Sequence, residues 1–220
     1  MTQRYWHFLA ADRRLRYDDG REVKPGSVLT VPDDRPLELC RYGMHASRDP
    51  LDALAYAPGP VVCRVTLAGD ILHGDDKSVA HERRAIWMAD AEDTLRQFAY
   101  KCADRAVRVH AAAALRKVGR DQDADTLVAL RPITDKKTAD ATYSAADSAA
   151  RSAADWAAAL SAALSARSAA DSAARGAAYS AADSAADAAY HAARSAAYSA
   201  ERARQSTLLG RMLLALGRTS

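Results

Sequence analysis

Residues 43–67 read GMHASRDPLDALAYAPGPVVCRVTL and hold a strand, a helix and a strand in turn. Gly43 to Ser47 is a short run of strand character. Asp49 followed by Pro50 marks a helix start, because an aspartate accepts from the first free N–H groups and a proline fits the first helical position. The helix is expected over 49–56, about two turns. Pro58, Gly59 and Pro60 end it. Residues 61–67 (VVCRVTL) alternate in polarity and open with two β-branched valines, which makes them the best strand in the chain.

The flanks extend the same pattern. Residues 4–10 (RYWHFLA) are aromatic-rich and short enough for a strand. Asp19 and Gly20 form a hairpin-type pair, and 27–31 (SVLTV) is a β-branched run after Pro25-Gly26. Pro32 and Pro36 bracket a turn, residues 37–40 read as a short strand, and 69–76 as a short strand with an acidic turn. An α+β domain with a small mixed or antiparallel sheet is expected over residues 1–89.

From Asp90 the period becomes helical. Leu95, Phe98, Ala99, Cys102, Ala106 and Val109 recur at three- and four-residue spacings, so 91–117 is an amphipathic helix with Gly119 at its end. A shorter helix is expected over 121–130, before Pro132. Residues 138–204 then follow a four-residue Ser/Ala/Asp pseudo-repeat. Of the 66 residues in 138–203, 32 are alanine, the strongest helix former, so helix is nearly forced. A four-residue period drifts about 40° per repeat on a helix of 3.6 residues per turn. The serine stripe therefore winds, and a bundle or hairpin of close-packed rods, folded back near Gly176, is the simplest way to bury it. Leu208, Leu209, Met212, Leu213 and Leu216 form a last apolar stripe, expected to pack on the 91–117 helix. Residues 90–220 are thus expected to form a helical domain.

Composition excludes several classes. The 31 Lys/Arg and 28 Asp/Glu give a net charge of +3, far from the basic excess of a phosphate-neutralising protein, so nucleic acid is not an expected partner. No run reaches the roughly 18 apolar residues of a membrane span. Cys40, Cys63 and Cys102 are odd in number and widely spaced, and residues 1–14 lack an apolar leader core. Both features point to reduced thiols in a cytoplasm. Cysteine and histidine spacing offers no zinc pattern, so no metal is expected. Phosphate-cradle glycine motifs and a nucleophile elbow are also absent, and no cofactor is expected.

Two resemblances carry the functional expectations. The strand–helix–strand order of 43–67 resembles the core of ADP-ribosyltransferase-like folds. That resemblance implies an enzyme acting on a nicotinamide dinucleotide, with His7 on an early strand, Glu82 (in AHERRAIW) at the start of a late one, and Tyr56 in the same cleft. Residues 36–102 are similar to a family of uncharacterised phage and prophage proteins. The similarity runs through Leu39-Cys40, Gly43, His45-Ala46-Ser47, Asp52-Ala53-Leu54, Tyr56-Ala57, Val62, Arg64-Val65, Leu67, Gly69, Asp76-Lys77, Val79-Ala80, Phe98-Ala99 and Cys102-Ala103. It implies a mobile-element protein in the cytoplasm of a bacterial host. The favoured expectation is a non-enzymatic protein that binds a host protein, including an inhibitor of an antiviral defence component. Tyr179, Tyr190, His191 and Tyr198 stand out from the small residues of the repeat as a docking surface, and alanine-lined helices also suit self-association.

Overall fold

The computed structural model describes residues 2–17, 19–117, 119–151 and 198–218. It is an α+β protein with a five-stranded antiparallel sheet in the N-terminal half, followed by helices. Two compact units divide the chain: Met1–Glu92 with Leu209–Ser220, and Asp93–Leu208. The boundary read from sequence at 89/90 lies three residues before the observed change. The C-terminal end counts with the first unit.

In the first unit the strands are β1 (Arg4–Leu9), β2 (Val28–Thr30), β3 (Met44–Ala46), β4 (Val61–His73) and β5 (Ser78–Asp90), with helix α1 (Pro50–Leu54) between β3 and β4. The order is β1-β4-β5-β2, with β3 also paired to β5. One edge of β5 pairs with β4. Its other edge is shared, Ser78 to Ala80 facing β3 and Glu82 to Arg84 facing β2. Trp6 and Ser47 exchange both backbone hydrogen bonds, at 2.7 and 2.9 Å, which joins the free edge of β1 to the residue after β3. The sheet is thereby rolled into a ring of β1, β4, β5 and β3.

Successive side chains on a strand point to opposite faces, and the register sorts them. Tyr5 faces Val65, His7 faces Cys63 and Leu9 faces Val61 across β1 and β4. Cys63, Val65 and Leu67 face Met88, Ala85 and Arg83 across β4 and β5. These residues point inward, where Tyr5, Leu9, Val23, Met44, Ala46, Cys63, Val65 and Met88 belong to one buried cluster. On the outer face Trp6, Arg64 and Trp87 lie in one cross-strand row. The Arg64 guanidinium sits 4.1 Å from the Trp6 ring, and the two indoles meet edge to face at 6.1 Å. Helix α1 packs on β1. It starts as the sequence indicates: Asp49 accepts from the Leu51 N–H at 2.7 Å, and Pro50 holds the first position.

Three local expectations change. Residues 37–40 form no strand; they enter a turn closed by a Glu38–Tyr42 bridge, with Cys40 at φ 67°. The helix after Asp49 is five residues long. The strand expected over 61–67 runs on to His73, and the equally long β5 follows it.

In the second unit, α2 (Glu92–Arg105) passes through a π-helical turn (Ala106–Ala111) into α3 (Ala112–Lys117), where the sequence suggests one regular helix. Gly119 has a φ of 74°, as a helix-ending glycine should. Helix α4 (Asp121–Ala129) and α5 (Lys136–Arg151) follow. Ala139, Thr142, Ala146 and Ala149 are buried on α5, so the first repeats bury a stripe at three- and four-residue spacing. Residues 152–197, with Tyr179, Tyr190 and His191, lie outside the described residues. The last helix, α6, spans Tyr198–Leu216. Within the second unit its Glu201 accepts from Arg105 of α2 at 2.9 Å, so the early part of α6 meets the long helix by an ion pair. Within the first unit, Gly210 lies beside Pro50 and Gly217 against the Trp87 ring.

Gly43 has a φ of 118°, a conformation open mainly to glycine. A methyl group there would run into Val79 and come within 2.9 Å of Leu37 Cδ2. Gly43→Ala is therefore expected to cost about 2–3 kcal/mol, seen as a lower urea midpoint with an unchanged slope.

Candidate functional site

The inward face of the ring is not purely apolar. Register places Arg83 opposite Leu67 and Leu29, inside the barrel, and the residue is only 4% exposed. Its Nη1 donates to the His45 backbone oxygen at 2.7 Å and lies 3.3 Å from His7 Nδ1. Its Nη2 is buried and meets no partner among the described residues. Burial pushes the guanidinium down to about 10, against the attraction of Cys63 and Asp19. Asp19 is already engaged, since both its oxygens accept from Arg21, at 2.6 and 2.7 Å.

His7 is only partly covered. Lost hydration first, then the charges of Arg83 and His45, keep it well below its usual value of 6.5. A neutral His7 accepts from Arg83 through Nδ1, so its proton sits on Nε2. His45 is lowered as well, chiefly by burial. Its Nδ1 faces the Gly43 oxygen at 3.0 Å, and its Nε2 accepts the Cys40 N–H at 3.0 Å.

From Cys40 the polar chain continues to the surface. Lys77 Nζ donates to Cys40 Sγ at 3.1 Å and lies 3.5 Å above the Tyr56 ring. The Tyr56 hydroxyl donates to Asp76. Partial loss of hydration acts to lower Lys77, but hydrogen bonds to Tyr56 and Cys40, with the Asp76 charge, raise it above its ordinary value. One path of contacts therefore runs from His7 through Arg83, His45, Cys40 and Lys77 to Tyr56 and Asp76. Sequence reading singled out His7 and Tyr56 on this path and missed Arg83, the neighbour of His7. The only signal for Arg83 was strand parity, and β5 was not read in full as a strand.

Glu82 is not part of this path. It pairs with Ala68 and Thr30, one residue out of phase with Arg83, so it projects from the opposite face of the sheet. His7, Tyr56 and Glu82 do not meet at one centre. Among the described residues no group of three or more His, Cys, Asp or Glu is placed to hold a metal ion. Among the same residues no helix is long and apolar enough to cross a membrane.

A second polar centre belongs to the second unit. Glu201, 3% exposed, accepts from Arg105, lies 3.4 Å from Gln205 Nε2 and is 3.4 Å from His110 Nε2 on the π-helical turn. Burial, with the Glu201 charge, pushes the Cys102 thiol upward. A cleft of about 470 Å³ beside it is lined by Lys101, Arg105, Arg204, Ile133 and Leu208, among others.

Among the described residues the most exposed aromatic side chain is elsewhere, on the loop between β1 and β2. Tyr17 is 100% exposed at φ 59°, and Arg13 nearby is at φ 57°. Backbone bonds Leu15 N–H to Arg21 O and Val23 N–H to Arg13 O, at 2.9 and 2.8 Å, pin the loop. Buried Val23 and partly buried Leu15 anchor it in the core. Arg14 is spent on the Gly20 oxygen at 2.8 Å, and Arg16 pairs with Asp12.

Two outcomes follow from these environments. A histidine whose folded-state value is depressed lends stability that is full above about pH 6.5 and drains away as pH falls, because the unfolded chain then binds the proton more readily. Urea unfolding should show stability declining from pH 7 to pH 5, with a shallower decline in His7→Gln; His45 keeps part of the slope. Of the three thiols only Cys40 is exposed, and burial holds Cys63 up at about 12. A thiol reagent should modify Cys40 alone in the native protein, and Cys63 and Cys102 only after unfolding.

No curated protein and no solved structure matches the chain. A family model described as a domain of unknown function (DUF7666) matches residues 15–97, which take in Tyr17, Cys40, His45, Tyr56, Lys77 and Arg83 but not His7.

Proposed function

We propose that the chain is a non-enzymatic binding protein that engages another protein through the loop between β1 and β2. The observation that carries this reading is Tyr17. A tyrosine wholly in solvent, in a left-handed conformation that costs a non-glycine residue about 1–2 kcal/mol, is supported only by the hydrogen bonds and buried anchors beneath it. Exposed tyrosines are typical anchors of protein interfaces, where they fill a pocket on the partner. Arg13 adds a positive charge to the same loop, so a complementary surface would be an apolar pocket with an acidic rim.

The similarity of 36–102 to phage and prophage proteins makes a host protein of a bacterial cytoplasm the first partner to seek, a component of antiviral defence included. ADP-ribosyl transfer would need His7, Tyr56 and Glu82 around one substrate, and their separation across two faces and one surface cluster gives it no support.

The decisive test pairs Tyr17→Ala with an exposed control, Val128→Ala, in binding measurements against candidate host proteins. Tyr17→Ala is expected to weaken binding by about 2 kcal/mol or more, while its melting temperature stays at or above that of the wild type. Equal affinity of the two variants for a bound partner would refute the assignment.

A further inference from the structure

Arg83 poses a problem that the binding loop does not answer. A guanidinium buried to this degree is ordinarily met by a carboxylate, since an unpaired charge away from water is among the least favourable arrangements in a protein. Here the inward groups around it are a backbone oxygen, a neutral imidazole and a thiol. The nearby acid, Asp19, has both oxygens on Arg21. The Arg83 Nη2 has hydrogens to donate and no acceptor among the described residues. His7, beside it, is half-buried and accepts from Arg83 through Nδ1, so its Nε2 proton lies on the far side of the ring. His45 adds no donor, because both of its ring nitrogens are engaged.

We propose that Arg83 is the seat for an oxyanion, the carboxylate or phosphate group of a small ligand that enters past His7. Guanidinium groups bind such planar or tetrahedral oxygens through strong charge-assisted hydrogen bonds. The planar fork of a guanidinium matches the oxygens of a carboxylate or phosphate better than a halide. The seat is separate from Tyr17, so loss of one leaves the other intact.

The test uses the full chain, with sodium phosphate, sodium acetate and sodium chloride compared at one fixed ionic strength and pH. Phosphate or acetate should raise the melting temperature in a saturable way and shift the His7 imidazole resonances, whereas chloride should do neither. Which of the two oxyanions acts at lower concentration identifies the group. Arg83→Met should weaken the response roughly tenfold or more, as expected for a lost charge-assisted hydrogen bond. Arg84→Met, on the exposed side of β5, should leave it unchanged. If Arg83→Met does not fold, the saturable His7 shift in the wild-type chain decides. Equal effects of all three salts, no saturable shift, or an undiminished response in a folded Arg83→Met protein would overturn the proposal.

Discussion

Two hydrogen bonds between Trp6 and Ser47 determine what the first unit can hold inside. Without them β1 and β3 would be distant members of one open sheet. With them the sheet has an interior, and each strand must commit alternate residues to it. The commitment is strict because strand parity has only two values. On β5 it sends Ala85 and Met88 inward, with a register shift between them. The same parity brings Arg83 in along with these apolar neighbours. His7 enters by the same rule from β1. The polar cluster is thus a consequence of closure and register together, and it draws in the His45 backbone because β3 is the strand that closes the ring.

Much of this frame was legible in the residues. Asp49-Pro50 and the proline cluster at 58–60 fixed α1 and the start of β4, since caps and breakers act locally. Strand β5 was harder to read. Its central run, His81-Glu82-Arg83-Arg84, has no apolar alternation, because one of its charged residues points inward and two outward. Periodicity cannot report a strand whose buried position holds an arginine. The turn at 37–43 was missed for a related reason: Cys40 takes a left-handed conformation that its residue type does not announce. The ring itself left no trace in sequence, because the Trp6–Ser47 pair is made by backbone atoms.

The helical unit shows a different limit. Positions 95, 98, 99, 102 and 106 keep helical spacing, and all are buried. The π-helical turn at Ala106–Ala111 then shifts the phase, so that Val109 is exposed although it fits the apolar series. The widened turn carries His110 toward Glu201 and places Arg108 where it reaches the Val128 and Leu130 oxygens. Such turns often mark positions where side-chain placement outranks regularity. In this one, a buried carboxylate from the far end of the chain is met by groups on both sides of the phase shift, Arg105 before it and His110 within it.

Closure of the ring also bears on how the protein behaves at high concentration. Exposed strand borders act as templates on which further chains assemble into fibrils. In the first unit the border of β1 is occupied at Trp6, and β5 has partners on both sides. The terminal strand, β2, is three residues long and lies between Pro25 and Pro32, neither of which can donate a backbone hydrogen bond. A short, proline-bracketed margin offers little purchase for templated growth of one sheet upon another.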